Sequence, residues 1–170
     1  MLKITRLSDY AVAVLGQLAR SVESVQTAKG LAEKTGLPQP AVSKILKSLA
    51  RSKLVASHRG VQGGYRLARE ASHVSVADVI EAVEGPVALT DCGGESLPAC
   101  EFTGQCSVQA NWLRINQVVR RALANISVED MMLPPNQERL IQLRLTAKPR
   151  AAELQRRSNS KNTLQPSELE

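Results

Sequence analysis

Aromatic side chains are almost missing from this chain: Tyr10, Tyr65, Phe102 and Trp112 are the only four in 170 residues. Proteins that grip single-stranded nucleic acid stack its bases on aromatic rings, so the scarcity argues against that function and leaves a duplex as the polyanion to expect. Long apolar runs are missing too. None approaches the roughly 18 residues of a membrane span, so no membrane partner is expected. Met1–Arg6 leads into an amphipathic pattern rather than an apolar signal core, and a cytoplasmic protein is expected. Histidine is limited to His58 and His73, and no nucleophile–His–Asp constellation accompanies any cysteine, which argues against an enzyme. Cysteines number three, an odd count, and cytosolic thiols stay reduced, so a disulfide framework is not expected.

What the chain does have is those three thiols in one place. Cys92, Cys100 and Cys106 are spaced C-x7-C-x5-C, interleaved with Gly93, Gly94, Pro98 and Gly104, which favour a loop over a helix or strand. Three thiolates on one loop can hold zinc or an iron–sulfur cluster. Structural zinc sites use tight C-x2–4-C pairs, and none is present. A cluster is larger than one ion and tolerates wider spacing. The fourth ligand would then be something other than cysteine, and the nearby oxygen donors are Asp91, Glu95, Glu101 and Gln109. A mixed ligand set makes a labile site, which suits a sensor.

Charge is unevenly spread. Residues 1–70 carry twelve Lys and Arg against four Asp and Glu, a net of +8, whereas residues 71–143 carry four against nine, a net of −5. Residues 144–170 return to +3. A basic head on an acidic body is the footprint of a polyanion-binding module.

The head has a recognisable order. Ser8 is placed to cap a helix running to about Arg20, with Asp9 in its first turn and Tyr10, Val14, Leu15 and Leu18 as its apolar stripe. Thr27 caps a short helix, Gly36-Leu37-Pro38 makes a turn, and a second helix runs from about Gln39 to Ser52. Small Ala32, Gly36, and apolar Val42 and Ile45 fit helix-turn-helix spacing. The exposed face of the second helix would offer Gln39, Pro40, Ser43 and Lys44 to base edges, with a phosphate as the other target of Lys44, and Lys47 and Arg51 to phosphates. Two short strands, Leu54–Ser57 and Tyr65–Ala68, flank a connector holding Arg59, Gly60, Gln62, Gly63 and Gly64. This reads as a wing whose tip presents backbone amides and Arg59 to DNA. Ser75 and Asp78 form a capping box for a further helix that Gly85-Pro86 closes.

After the cysteine loop a long helix is expected from about Ser107. Val108, Trp112, Ile115, Val119, Ala122 and Ile126 follow heptad spacing, with Val118 and Leu123 as a second apolar strip. Such a helix is wide enough to pack on its own domain and on a second copy, and a homodimer on a palindromic operator is expected. The fold class expected is therefore mainly α with a small β-wing: a winged helix-turn-helix head plus a long dimerisation helix. The divisions are a DNA-binding head over 1–85, the cysteine segment over 86–107, the dimerisation helix and closing turn over 108–133, and a mostly disordered tail over 134–170.

The opening Ile-Thr-Arg-Leu-Ser-Asp-Tyr-Ala-Val, the helix-turn-helix, the wing Arg-Gly-Val-Gln-Gly-Gly-Tyr-Arg-Leu-Ala and the three-cysteine loop before a long helix resemble the IscR/NsrR-type winged-helix transcriptional regulators. The resemblance covers residues 1–133, and the opening looks nearest to the SUF-system iron–sulfur assembly regulators. It implies a homodimer, double-stranded DNA as partner, and an iron–sulfur cluster on Cys92, Cys100 and Cys106, with 2Fe–2S favoured over 4Fe–4S. It also implies repression of iron–sulfur assembly genes; the alternatives are a nitric-oxide or redox-sensing repressor of other genes and a zinc-stabilised structural DNA-binding protein. In one respect the chain departs from the pattern. IscR-like members carry a histidine three residues after the third cysteine, where this chain has Gln109. Nitrosative-sensing members use an acidic residue at the start of the partner's first helix, the position Asp9 occupies, so Asp9 of a second copy is the fourth ligand to expect.

Overall fold

The computed structural model describes residues 4–21, 24–60, 63–90 and 105–134. The expectations for Cys92, Cys100, Gln62 and the tail fall outside these residues. The described chain forms α1 (Arg6–Ala19), α2 (Ala28–Thr35), α3 (Gln39–Arg51), β1 (Val55–His58), β2 (Gly64–Leu67), a 3-10 turn at Ala71–His73, α4 (Val76–Glu84), α5 (Gln109–Ala124) and α6 (Val128–Met131).

Local signals set most of these boundaries. The Thr27 hydroxyl accepts from the Gly30 N–H at 3.0 Å and starts α2. Gly36 ends it at φ +70, a left-handed conformation that a side chain disfavours. Pro38 and Pro40 need no backbone donor where they sit, at the entry and first turn of α3. Ser75 with Asp78, and Ser127 with Asp130, form complete capping boxes for α4 and α6.

The start of α1 differs from expectation. The helix begins at Arg6, and Ser8 lies inside it, 1% exposed, rather than at its cap. The cap comes from far along the chain. Glu84 Oε1, at the end of α4, accepts from the Thr5 N–H at 3.1 Å, from the Thr5 hydroxyl at 2.9 Å and from the Ser8 hydroxyl. A carboxylate at a helix N-terminus meets both the unpaired N–H groups and the positive end of the dipole.

The core joins all these helices except α5. Ala11, Val14, Leu15 and Leu18 of α1 pack with Leu31 and Ala32 of α2 and with Val42, Ile45, Leu46 and Leu49 of α3. Val79 of α4 and Val128 of α6 close the same cluster. The closing turn therefore belongs to the head's core. Two backbone bonds fasten it there: Val76 N–H to Ile126 O, and Val128 N–H to Val74 O, each 2.8 Å.

The wing is antiparallel, from Val55 opposite Leu67 to His58 opposite Gly64. Each strand lies one residue off the expected range, and His58 ends β1 instead of opening the connector. Gln26 forms an isolated bridge alongside β2, exchanging backbone bonds of 2.9 and 2.8 Å with Tyr65. The approach is so close that a Cβ on Gly64 would lie 2.5 Å from the Gln26 carbonyl oxygen. Only glycine fits there.

Helix α5 is built the other way round. It runs from Gln109 to Ala124, so Val108 and Ile126, the ends of the heptad series, flank it. Val108, Trp112 (41% exposed) and Ile115 are uncovered, while Val119, Ala122 and Ile126 are half-buried. Val118, expected on a packing strip, is 65% exposed. At 100° per residue it falls on the outer side with the heptad series, away from the side of Asn116 and Arg120 that meets the rest of the fold.

Candidate nucleic-acid interface and thiolate site

One face of α3 is committed to the core through Val42, Ile45, Leu46 and Leu49. The opposite face carries Gln39, Pro40, Lys44 and Lys47, all exposed, and half-buried Ser43. Arg51 is exposed at the C-terminal end, where its guanidinium donates to the Ser48 hydroxyl at 3.2 Å. At the wing, Arg59 and Gly60 are exposed, and Gly60 has φ +117. The Gly63 N–H donates to the Gly60 carbonyl at 2.9 Å. It closes the tip and is not the open phosphate donor the sequence suggested. Among the described residues Lys44, Lys47 and Arg59 form no ion pair, which leaves their charge for an external anion. Two basic residues escaped the sequence reading. Lys53, exposed between α3 and β1, is held at φ +56, and Arg66 projects from the exposed side of β2. No local pattern marks either one; the α3–β1 turn and the strand register place them.

Of the three cysteines, Cys106 lies among the described residues. Its thiol is half-buried and outside any disulfide. Its carbonyl accepts from the Gln109 N–H at 3.3 Å as α5 begins, and Gln109 is the first residue of that helix rather than part of the loop. Asp9 is exposed in the first turn of α1, one residue beyond Ser8. Among the described residues of one chain, no three His, Cys, Asp or Glu side chains converge on a point. The donor chemistry fits a thiophilic group: a reduced, partly accessible thiol beside a helix N-terminus, with two more thiols in the same segment of sequence.

Glu84 links the two regions. Its carboxyl is held below the usual carboxylate range; partial burial works against this, and the hydrogen bonds from Ser8 and Thr5 outweigh it. Residues 85–90 then lead to the cysteine segment, and Gly85 turns the chain at φ +95. The N-terminus of α1, with Asp9, is thus fastened to the residue that precedes this approach. Also on that approach, the Asn116 side chain of α5 bonds the backbone of Val87 and Leu89.

A helix-turn-helix with a short hairpin beside it, basic on the exposed side of both, defines a winged-helix DNA-binding regulator. The chain belongs to the Rrf2 family, whose model, described as an iron-dependent transcriptional regulator, matches residues 4–134. It is 31% identical over 138 residues to the HTH-type transcriptional regulator IscR of Xenorhabdus nematophila, covering 81% of this chain and 82% of that one. The IscR structure from T. potens matches with a TM-score of 0.56 at 30% identity, covering 77% of this chain and 86% of that one. CymR, the global cysteine regulator of B. subtilis, matches with a TM-score of 0.59 at 26% identity, covering 77% and 96%. The family is one of transcriptional regulators rather than enzymes, and the fold is the expected one, mainly helical with a two-stranded wing. Among the described residues no helix is long and apolar enough to cross a membrane.

Proposed function

We propose that this regulator is a cytoplasmic, homodimeric repressor whose affinity for a palindromic duplex operator follows the state of an iron–sulfur cluster, and that it controls iron–sulfur assembly genes of the SUF type. Cys92, Cys100 and Cys106 would hold the cluster, with 2Fe–2S favoured, and Asp9 of a second copy would supply the fourth ligand. When bound, the cluster supplies a redox-labile centre. The protein's part is to convert the order of the cysteine segment into the position of its DNA-reading helix.

The observation that carries this reading is the Glu84 junction. Glu84 fixes the start of α1, α1 packs on α3, and α3 displays Gln39, Ser43 and Lys44. A change in the segment after α4 therefore acts on α1 first and on the reading helix next. The uncovered Val108, Trp112, Ile115 and Val118 face supports a second copy, since exposed apolar surface of this kind marks an interface. Gln39, Pro40, Ser43 and Lys44 would read bases. Lys47, Arg51 and the wing residues Arg59, Gly60 and Gln62 would meet the backbone.

Asp9 also favours a second reading, a nitric-oxide or redox sensor controlling other genes, because it stands exposed where nitrosative-sensing relatives place their carboxylate ligand. The test is anaerobic purification of wild type and Cys100→Ala, with visible absorption, iron and sulfide analysis, and mobility shift on operator DNA. Iron and sulfide with broad visible bands, lost in the variant together with a change in DNA affinity, support the cluster reading. A colourless or zinc-bearing protein with unchanged DNA binding rejects it. Nitric oxide titrated into the loaded protein separates the two sensor readings.

A further inference from the structure

Gln26, in the connection between α1 and α2, is 6% exposed, and an amide buried this far needs its donors and acceptors met. Its backbone serves the wing: the Gln26 N–H donates to the Tyr65 carbonyl at 2.9 Å, and the Gln26 carbonyl accepts from the Tyr65 N–H at 2.8 Å. Its side chain serves two helices. Nε2 donates to the Gln17 carbonyl of α1 at 3.4 Å, and Oε1 accepts from Lys34 Nζ of α2 at 2.8 Å. Gln17 lies in the last turn of α1, where carbonyls lack a donor within the helix. Lys34 lies in the last turn of α2, two residues before Gly36 opens the turn into α3. One residue thus joins the wing to the ends of both helices that precede the reading helix.

The wing has need of such a fastening. A two-stranded hairpin is marginally stable by itself. Among the described residues β2 has β1 along one edge and Gln26 along the other. We infer that Gln26 is a positioning residue for DNA reading: it ties the wing to the ends of α1 and α2, so that Arg59 near the tip and the exposed face of α3 hold a fixed spacing and meet one duplex together. Helix α1 is then shared between the two reading elements. Glu84 holds its start, it packs on α3, and Gln26 passes the position of its end to the wing. A displacement of α1 reaches the wing as well as the reading helix. The consequence for DNA rests on Arg59 as a backbone contact, proposed above, whereas the fastening is a property of the chain alone.

The test uses the full-length protein and a fluorescein-labelled duplex that wild type selects from a random-sequence pool. Arg59→Ala is expected to weaken binding about ten-fold in the wild-type background. In a Gln26→Leu background the same change is expected to cost less than about two-fold, because a wing no longer held in place adds little contact to lose. Equal costs in the two backgrounds overturn the inference, since a role in stability alone leaves the two effects additive. Amide exchange decides the point without DNA. Gln26→Leu is expected to accelerate exchange at Tyr65 about ten-fold more than at Leu46 inside α3. Equal acceleration at both positions marks a loss of global stability and overturns the inference, as does an unchanged rate at Tyr65. Lys34→Met alters an exposed side chain outside the core and leaves the Gln26 amide in place. It is expected to accelerate Tyr65 about three-fold more than Leu46, and it decides the matter by the same comparison should Gln26→Leu not fold. No loss from Arg59→Ala in the wild-type background would instead overturn the reading of Arg59, and exchange at Tyr65 would still decide the role of Gln26.

Discussion

Helices α3 and α5 are of similar length and both amphipathic, yet they treat their faces oppositely. Helix α3 buries Val42, Ile45, Leu46 and Leu49 and leaves its polar residues to solvent. Helix α5 buries Asn116 and leaves Trp112, Ile115 and Val118 uncovered. The first is finished within one chain; the second has an apolar face that nothing among the described residues covers. The head is thus built to fold, and α5 keeps a face for the second copy proposed above.

The strongest way to test that contrast is a matched pair of truncations. Leu46→Ala opens the head's core and is expected to cost about 3 kcal/mol of unfolding free energy, read by denaturant titration. Val118→Ala on α5 is expected to cost less than about 0.5 kcal/mol in dilute solution, where no partner covers it. Equal costs would erase the distinction. Next in size, Trp112→Glu places a charge in the uncovered face. It is expected to halve the mass in sedimentation and weaken operator binding by about 100-fold, or roughly 2.7 kcal/mol, without changing the circular dichroism. Gly64→Ala sharpens the finished side of the comparison. The new Cβ meets the Gln26 carbonyl, and a loss of about 2 kcal/mol is expected in thermal unfolding.

A smaller effect is expected at the junction between the two regions. Because Glu84 has its carboxyl lowered in the folded state, the stability it contributes is present above its unfolded value and is lost as pH falls through the folded one. Glu84→Gln is expected to remove about 0.5 kcal/mol at neutral pH and to flatten that acid limb, read from melting temperature against pH. Smallest of all, Lys47→Ala, at a residue proposed to meet a phosphate, should leave stability unchanged and reduce the salt slope of DNA binding by about one unit.

The features legible in the sequence are those decided within a few residues. Thr27 with Gly30 and Ser75 with Asp78 each start a helix through contacts three positions apart, Gly36 ends one by its own left-handed conformation, and the structure has all of them. The features that escaped depend on residues far apart. The cap of α1 comes from Glu84, 79 positions away from Thr5, and Ser8, which has the right chemistry for a local cap, instead donates its hydroxyl to that carboxylate. The isolated bridge beside the wing joins Gln26 to Tyr65, and the pairing of Asn116 with Val87 and Leu89 reaches back across the cysteine segment. On α3 the sequence indicated which residues stand exposed, Gln39, Pro40, Lys44 and Lys47. It did not anticipate that the Gly63 amide is taken up inside the tip, because the turn geometry decides which N–H groups point outward.

The anchoring of α6 gives α5 the properties of a lever. Its C-terminal end is fixed to the head by the Val76–Ile126 and Val128–Val74 backbone bonds, while its N-terminal end follows directly on Cys106. Sixteen residues of helix make an arm of about 24 Å. A tilt of roughly 10° about the fixed end sweeps the far end through about 4 Å, more than the 3.4 Å between successive base pairs. In the homodimer proposed above, small angular changes of two such arms would therefore be enough to bring two reading heads into or out of step with the helical repeat of DNA.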